Sequence, residues 1–288
     1  MYLTSTQKKQ VAASFSKAAT QYDNYARLQH WTVKQVCQRL GLADSDLSTI
    51  RLLDLGCGTA NIIKQLTNDF PEKAWLYTGI DISAGMLSAA EQKLKTLNGH
   101  QIEANFAIED VEQFSDSTQL MAKQYDYCVS SLAIQWCDLD KVCQQLAQFL
   151  QLNPSAEIVM STLLEGSLAE LNQAWQSVDP AHSHVNEFLS FQVLKQALIQ
   201  ASLRYGFSFE LEQDWHHLSY SSALAVMQEL KHIGANQVVT QNAKQFYLTK
   251  EKLKQLEQAY PDNDDGEGTP QTTKIASWHL GFIKIRRA

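Results

Sequence analysis

The segment LLDLGCGTANI, Leu52 to Ile62, runs from an apolar strand through Gly56-Cys57-Gly58 into a helix. Glycine permits a tight turn there and lets backbone approach a ligand closely. The helix start beyond it presents N–H groups that no helical carbonyl satisfies. Asp54 stands two residues before Gly56. A nicotinamide-dinucleotide turn carries a third glycine at GxGxxG; Asn61 occupies that place and speaks against that ligand class. Asp81, followed by Ile82, ends the next strand in YTGIDISAGML. A carboxylate there lies beside the glycine turn, where it can accept from two ribose hydroxyls. The competing role for Asp81 is a helix N-cap, which Ser83 can fill instead. Asp110 and Val111, in AIEDVEQF, follow a third strand. At the edge of a base pocket Asp110 can accept from an exocyclic amine, and Val111 offers a backbone N–H and an apolar wall. Ser130, Leu132 and Gln135, in VSSLAIQWCDL, sit at the carboxyl end of a fourth strand, where ligands of open α/β sheets bind. Trp136 is either part of that site or part of the core.

Alternating elements must position these residues. Strands are expected at Arg51 to Leu55, Trp75 to Asp81, Ile102 to Ile108, Tyr125 to Leu132 and Glu157 to Leu163, with helices starting near Asn61, Ser83 and Leu139. Such alternation implies βαβ units and a mainly parallel sheet. The first fifty residues read as helix: Leu28, Trp31, Thr32, Gln35, Val36 and Leu40 recur at helical spacing, with Gly41 as a stop. Beyond Leu163, helices are expected at about Ser167 to Val178, Ser190 to Ser202, Ser221 to Ile233 and Thr249 to Ala259. Strands are expected at Phe207 to Leu218 and Ile275 to Ile285. The run PDNDDGEGTPQ reads as loop.

The 288 residues balance 44% hydrophobic with 19% charged residues, which excludes a disordered chain, a coiled coil and a collagen. A net charge of −7 argues against nucleic acid as the main partner. The five cysteines show no CxxC pair, so a zinc site or disulfide framework is not expected and a reducing compartment fits. His182 and His184 form an HxH and His216 and His217 are adjacent, but no third ligand has clear spacing, so no metal is expected. The N-terminus lacks a secretory apolar run and no apolar stretch is long enough to span a bilayer, so a soluble cytoplasmic protein without membrane partners is expected.

Over roughly Arg51 to Leu163 these motifs resemble the class I S-adenosylmethionine-dependent methyltransferases. The resemblance implies an α/β fold: a Rossmann-like seven-stranded sheet in the order 3-2-1-4-5-7-6, its last strand antiparallel, with helices on both faces and an inserted helical lid. It implies S-adenosylmethionine (SAM) as cofactor, held by Asp54, Gly56, Gly58, Asp81, Ile82, Asp110, Val111, Ser130 and Leu132. It divides the chain into an N-terminal helical lid segment (1–50), a SAM-binding core (51–163) and a remainder (164–288) that completes the sheet and carries lid helices for substrate.

The flanks resemble one subfamily. FSKAATQYDNYARLQ, SSLAIQWCDL, STLLEGSLAELNQAWQSVD and ALAVMQELKHIGAN are similar to the malonyl-acyl-carrier-protein O-methyltransferases of biotin synthesis. That implies methyl transfer to the free carboxyl of a malonyl thioester on an acyl carrier protein, after which fatty-acid enzymes extend the masked unit toward pimeloyl thioester. The nucleophile is ionised at pH 7, since carboxyls titrate near ~4, so no general base is required. Tyr22 is expected to close over the sulfonium, and Tyr22 and Gln135 to orient the reactants. Tyr25, Gln135, Trp136, Lys231 and His232 are the candidates to meet the substrate. Packing in the first helix is the competing role for both tyrosines, and a solvated helix face for Lys231 and His232. An acidic carrier would need a basic patch made by folding, because residues 1–150 carry 13 Lys and Arg against 16 acids and residues 151–288 carry 11 against 15. Lys231, Lys250, Lys252 and Lys254 are candidates for it. Transfer to another small carboxylate or a quinone precursor, and SAM binding without catalysis, are the alternatives.

Overall fold

The computed structural model describes residues 3–97, 99, 101–235, 238, 249–261 and 273–288. Seven strands form one sheet: β1 Thr49–Leu55, β2 Ala74–Asp81, β3 Ile102–Ile108, β4 Tyr127–Ser131, β5 Glu157–Leu163, β6 Phe207–Tyr220 and β7 Lys274–Arg287. Their order is β3-β2-β1-β4-β5-β7-β6. β7 runs antiparallel to β5 and β6, and the remaining pairs are parallel. This is the order the sequence resemblance implies.

The two-residue repeat of β1 sorts its side chains between two cores. Ile50 and Leu52 enter one, Leu53 and Leu55 the other. On the first face the sheet is covered by α3 (Arg27–Arg39), α4 (Asn61–Asp69), α8 (Ala169–Val178), α10 (Ala223–His232) and α11 (Lys250–Ala259). On the second face lie α7 (Leu139–Leu152) and α9 (Phe191–Tyr205). α1 (Ser5–Ala18) packs on α5 (Ala84–Leu94), with short α2 (Tyr22–Tyr25) and α6 (Thr118–Met121) completing the set. The fit of α1 on α5 is close: a Cβ on Gly85 would lie 2.7 Å from Ser16 Cα.

Three local readings change. The N-terminal helix is broken at Ala19–Gln21 and at Ala26, whose φ and ψ of −84° and 48° are not helical. The cause is long-range: Asp23 is drawn onto residues of the glycine turn and α5, as described below. α3 ends at Arg39 because Leu40 turns extended, one residue before Gly41. β4 spans 127–131 rather than 125–132, and Leu132 takes the left-handed conformation, φ +53°. Among the described residues no helix is long and apolar enough to cross a membrane.

Candidate active site

The glycine turn is held from beneath by Asp81. Its Oδ2 accepts from Gly58 N–H at 3.0 Å and its Oδ1 from Ser83 N–H at 2.8 Å. Ser83, not Asp81, caps α5, accepting from Met86 N–H. Gly56 has φ +69°, and a Cβ there would lie 2.4 Å from the Ala133 Cβ, so the turn and the β4 end can meet only at glycine. Burial pushes the Asp81 carboxyl up to about 6, against the pull of those two N–H groups.

A narrow cavity of about 90 Å³ opens above this turn. Tyr22, Gly56, Gly58, Asp81, Ile82, Asp110, Val111 and Leu132, all singled out in the sequence, line it. Phe15, Ser131 and Trp136 line it too. α1 roofs it through Lys8, whose Nζ lies 2.6 Å from Asp110 Oδ2 and 2.8 Å from Glu112 Oε1. A second cavity of about 480 Å³ adjoins the first. Phe15, Tyr22, Leu132 and Trp136 belong to both walls, and Gln135 lines the larger one. Among the described residues, none that lines the larger cavity is Asp, Glu, Lys or Arg.

Tyr22 is placed by a polar knot at its neighbour. Asp23 Oδ1 accepts from Thr59 Oγ1 at 2.7 Å and from Asn61 Nδ2 at 3.0 Å, and Asp23 Oδ2 pairs with Lys93 Nζ at 2.6 Å. Lys93 also donates to Thr59 Oγ1 and Asn61 Oδ1. Asn61, which occupies the third-glycine place, thus ties the tyrosine-bearing segment to the turn. The Lys93 and hydroxyl contacts hold the Asp23 carboxyl below its ordinary range despite burial. Burial and the nearby Asp81 charge push the Tyr22 phenol up, so it stays a neutral donor.

Several expected site residues are not brought to these cavities. Asp54 alternates onto the face of Leu52 and lies buried beneath the turn, where Tyr77 Oη donates to its Oδ2 at 2.8 Å. Burial pushes its carboxyl up to about 7. Ser130 points into the sheet and donates to Leu55 O; the cavity takes the next residue, Ser131. Tyr25 is 36% exposed and stacks on His232, ring centroids 4.0 Å apart. Lys231 and His232 line an outer groove between α1 and α10 instead. Gln135 donates from Nε2 to Leu132 O at 2.6 Å, leaving Oε1 buried without a partner, so donation to a carboxylate falls to its second Nε2 hydrogen. Phe15, Lys8 and Ser131 were missed; for Ser131, strict strand alternation was the available signal. His182 and His184, the HxH pair, line the larger cavity. Among the described residues no group of three His, Cys, Asp or Glu side chains is arranged for a metal ion.

The residues fit a nucleoside sulfonium. A carboxylate offers about four acceptor positions; backbone N–H groups take two at Asp81, leaving two for a vicinal diol. Ser131 Oγ is buried without a partner beside the glycine turn. Aromatic walls at Phe15, Tyr22 and Trp136 suit a cationic sulfur.

Comparison with known proteins agrees with this geometry. Residues 52–153 match the model of a family described as "Methyltransferase domain". The chain is 33% identical over 281 residues to the malonyl-acyl-carrier-protein O-methyltransferase of Serratia marcescens, covering 97% of this chain and 96% of that protein. It is 34% identical over 290 residues to the biotin biosynthesis bifunctional protein BioHC of Teredinibacter turnerae, 98% of this chain but only 47% of that one, so it spans about half of the bifunctional relative. Among solved structures, the YcgJ protein of Bacillus superposes with a TM-score of 0.55 at 12% identity over 90% of this chain and 99% of that one. The plantazolicin methyltransferase BpumL superposes at 0.50 and 18% identity, over 98% and 97%. The chain belongs to the malonyl-acyl-carrier-protein O-methyltransferase family.

Proposed function

We propose that the protein transfers a methyl group from SAM to the free carboxylate of a malonyl group carried on an acyl carrier protein, in the cytoplasm, giving the methyl ester that starts pimeloyl synthesis for biotin. The observation that carries the reading is the shared wall: the narrow site above the glycine turn and a larger cavity with no Asp, Glu, Lys or Arg among its described lining residues meet at Phe15, Tyr22, Leu132 and Trp136. The bound cofactor supplies an electrophilic methyl on a sulfonium. Asp81 anchors the ribose end, Val111 and Asp110 border the base, and Tyr22 and Trp136 flank the point where the two ligands meet.

The chain then needs little further chemistry. The malonyl carboxylate is already ionised, so no residue takes a proton. An anion and a cation lose charge as they approach, and a dry, low-dielectric site favours that step. A wall whose described residues include no Lys or Arg suits it, because a salt bridge to the carboxylate would stabilise the ground state most and slow transfer. Gln135 provides a neutral amide at the junction, which orients the carboxylate without pinning its charge. Alignment supplies most of the remaining acceleration.

The test is incubation with methyl-labelled SAM and either malonyl- or acetyl-carrier protein. Label in the malonyl form alone is expected. Label in neither, with SAM still bound, would sink the reading and leave a SAM-binding protein without this activity.

A further inference from the structure

The chain is acidic overall, with a net charge of −7, yet its first 22 residues hold three lysines and no Asp or Glu. Folding sorts those lysines. Lys8 turns inward to Asp110 and Glu112. Lys9 and Lys17 stay exposed, and among the described residues no carboxylate pairs with either. α1 lies against the end of α10: Ser14 Oγ donates to Gly234 O at 3.0 Å, and a Cβ on Gly234 would lie 3.0 Å from Ser14 O. Between the two helices runs an open groove of about 620 Å³. Lys17 and Lys231 line it, both exposed, and no Asp or Glu is among its described lining residues. Lys9 flanks it, standing about 40° around α1 from Ala13, which lines the groove. The one acid of α10, Glu229, is buried and turned to Arg27 and Tyr220. The groove backs onto the larger cavity. Ser14, Gln21 and His232 line the groove, and the next residue after each, Phe15, Tyr22 and Ile233, lines the cavity.

We propose that the groove between α1 and α10 is the surface on which the carrier protein docks, with an acidic helix or loop of the carrier set against Lys9, Lys17 and Lys231. The inference rests on the function proposed above and names where its protein substrate sits.

Charge selects the partner. Lysines without carboxylate partners on an acidic protein attract an anionic surface and steer its approach. The lysines of α11 do not offer this, because Lys250, Lys252 and Lys254 share their helix with Glu251 and Glu257, and Lys252 Nζ lies 3.8 Å from Asp179. A bilayer is a poorer match for the groove, since α1 turns Val11 and Ala18 inward and keeps no apolar face for lipid. Nucleic acid is poorer too, since its binding sums contacts to many phosphates. Position selects the partner as well: a protein seated in the groove lies one layer of side chains from the cavity that the malonyl group must enter. Lys17 and Lys231 each sit in the last turn of their helix, where a cation also favours the helix dipole. That role moves stability and leaves carrier binding alone.

The test measures binding of fluorophore-labelled malonyl-carrier protein to the full chain by anisotropy, for the wild type, for Lys17→Glu combined with Lys231→Glu, and for Lys254→Glu. Reversing two exposed charges turns attraction into repulsion, so the double variant should bind the carrier about tenfold more weakly. KM for malonyl-carrier protein should rise in step at unchanged kcat, and added salt should weaken wild-type binding while leaving the variant's nearly level. SAM affinity and turnover of the malonyl thioester of pantetheine should change less than about twofold in the double variant, and Lys254→Glu should move no reading by more than that. Should the double reversal fail to fold, Lys17→Gln with Lys231→Gln carries the same test at about threefold. Carrier affinity within about twofold of wild type in the folded double variant, or an equal loss in Lys254→Glu, would overturn the docking surface. So would lost binding to anionic vesicles or to an oligonucleotide with carrier binding intact. A wild type that binds the carrier but methylates no malonyl thioester would instead refute the function on which the inference rests.

Discussion

Replacing Asp81 by Asn separates cofactor binding from folding. The carboxylate accepts two backbone N–H groups and has two acceptor positions left for the ribose. Asn keeps one oxygen and turns an NH₂ toward Gly58 or Ser83 N–H, so one end of the group becomes donor against donor. A hydrogen bond to a charged group contributes about 1.5–3 kcal/mol. Losing one such ribose bond and weakening the other costs about 3–5 kcal/mol, or about 150- to 4,000-fold in Kd. Stability has an opposing contribution. The folded carboxyl, at about 6 against an ordinary 3.8, is raised by burial, so its ionised form opposes folding. That cost is absent below pH ~4, grows as pH rises through about 6, and reaches up to about 3 kcal/mol at neutral pH. The unsatisfied backbone N–H costs about 1–3 kcal/mol and offsets that gain, so unliganded Asp81→Asn is expected to melt near the wild-type temperature at pH 7 while losing SAM. Titration calorimetry across pH checks both halves. Wild-type affinity should be level above pH ~6.5 and weaken below about 6 as the carboxylate takes a proton, whereas the variant's weak affinity should be level. A Kd change under tenfold, or one accompanied by an equal loss of thermal stability, would refute the ribose role.

Other substitutions probe the supports of the site. Gly56→Ala places a Cβ 2.4 Å from the Ala133 Cβ at φ +69°. It should cost about 1–3 kcal/mol in backbone strain with overpacking added, read as a lower unfolding midpoint and lost SAM binding; an unchanged midpoint would contradict the turn geometry. Asp23→Ala removes the partner of half-buried Lys93 and frees the Tyr22 segment. Single-turnover rates at saturating SAM should fall about tenfold, with Asp23→Asn intermediate, the loss being one charge-assisted contact; full activity would show that Tyr22 needs no such anchor. Asp54→Asn leaves the cavity wall intact, since Asp54 meets Tyr77 rather than the cavity. SAM affinity should change less than about fivefold, well under one charge-assisted contact, and a larger loss measured by calorimetry would return Asp54 to the binding site.

The strands and the glycine turn were legible because two-residue alternation and backbone conformation are local properties. The course of the last strand between β5 and β6 was legible only through family resemblance, since it depends on a return from residues far along the chain. Side-chain direction was harder. Ser130 and Ser131 differ by one residue, which in a strand means opposite faces. Leu230 and Lys231 sit about 100° apart on α10, enough to put the leucine in the cavity and the lysine in the outer groove. The break between α1 and α3 was hidden because Asp23 answers to Thr59, Asn61 and Lys93 rather than to its own helix. His182 and His184 gave no local signal for the same reason: only the folded loop brings them to one cavity.

The proposed reaction is carboxyl methylation of a carrier-bound malonyl group. Its most direct measurement is the chemical fate of the labelled methyl after reaction of methyl-labelled SAM with malonyl-carrier protein. The label should be recovered on the carrier and released as volatile methanol by mild alkali, as a methyl ester requires. Label that stays on the carrier after alkali, or never reaches it while SAM is bound, would contradict carboxyl methylation.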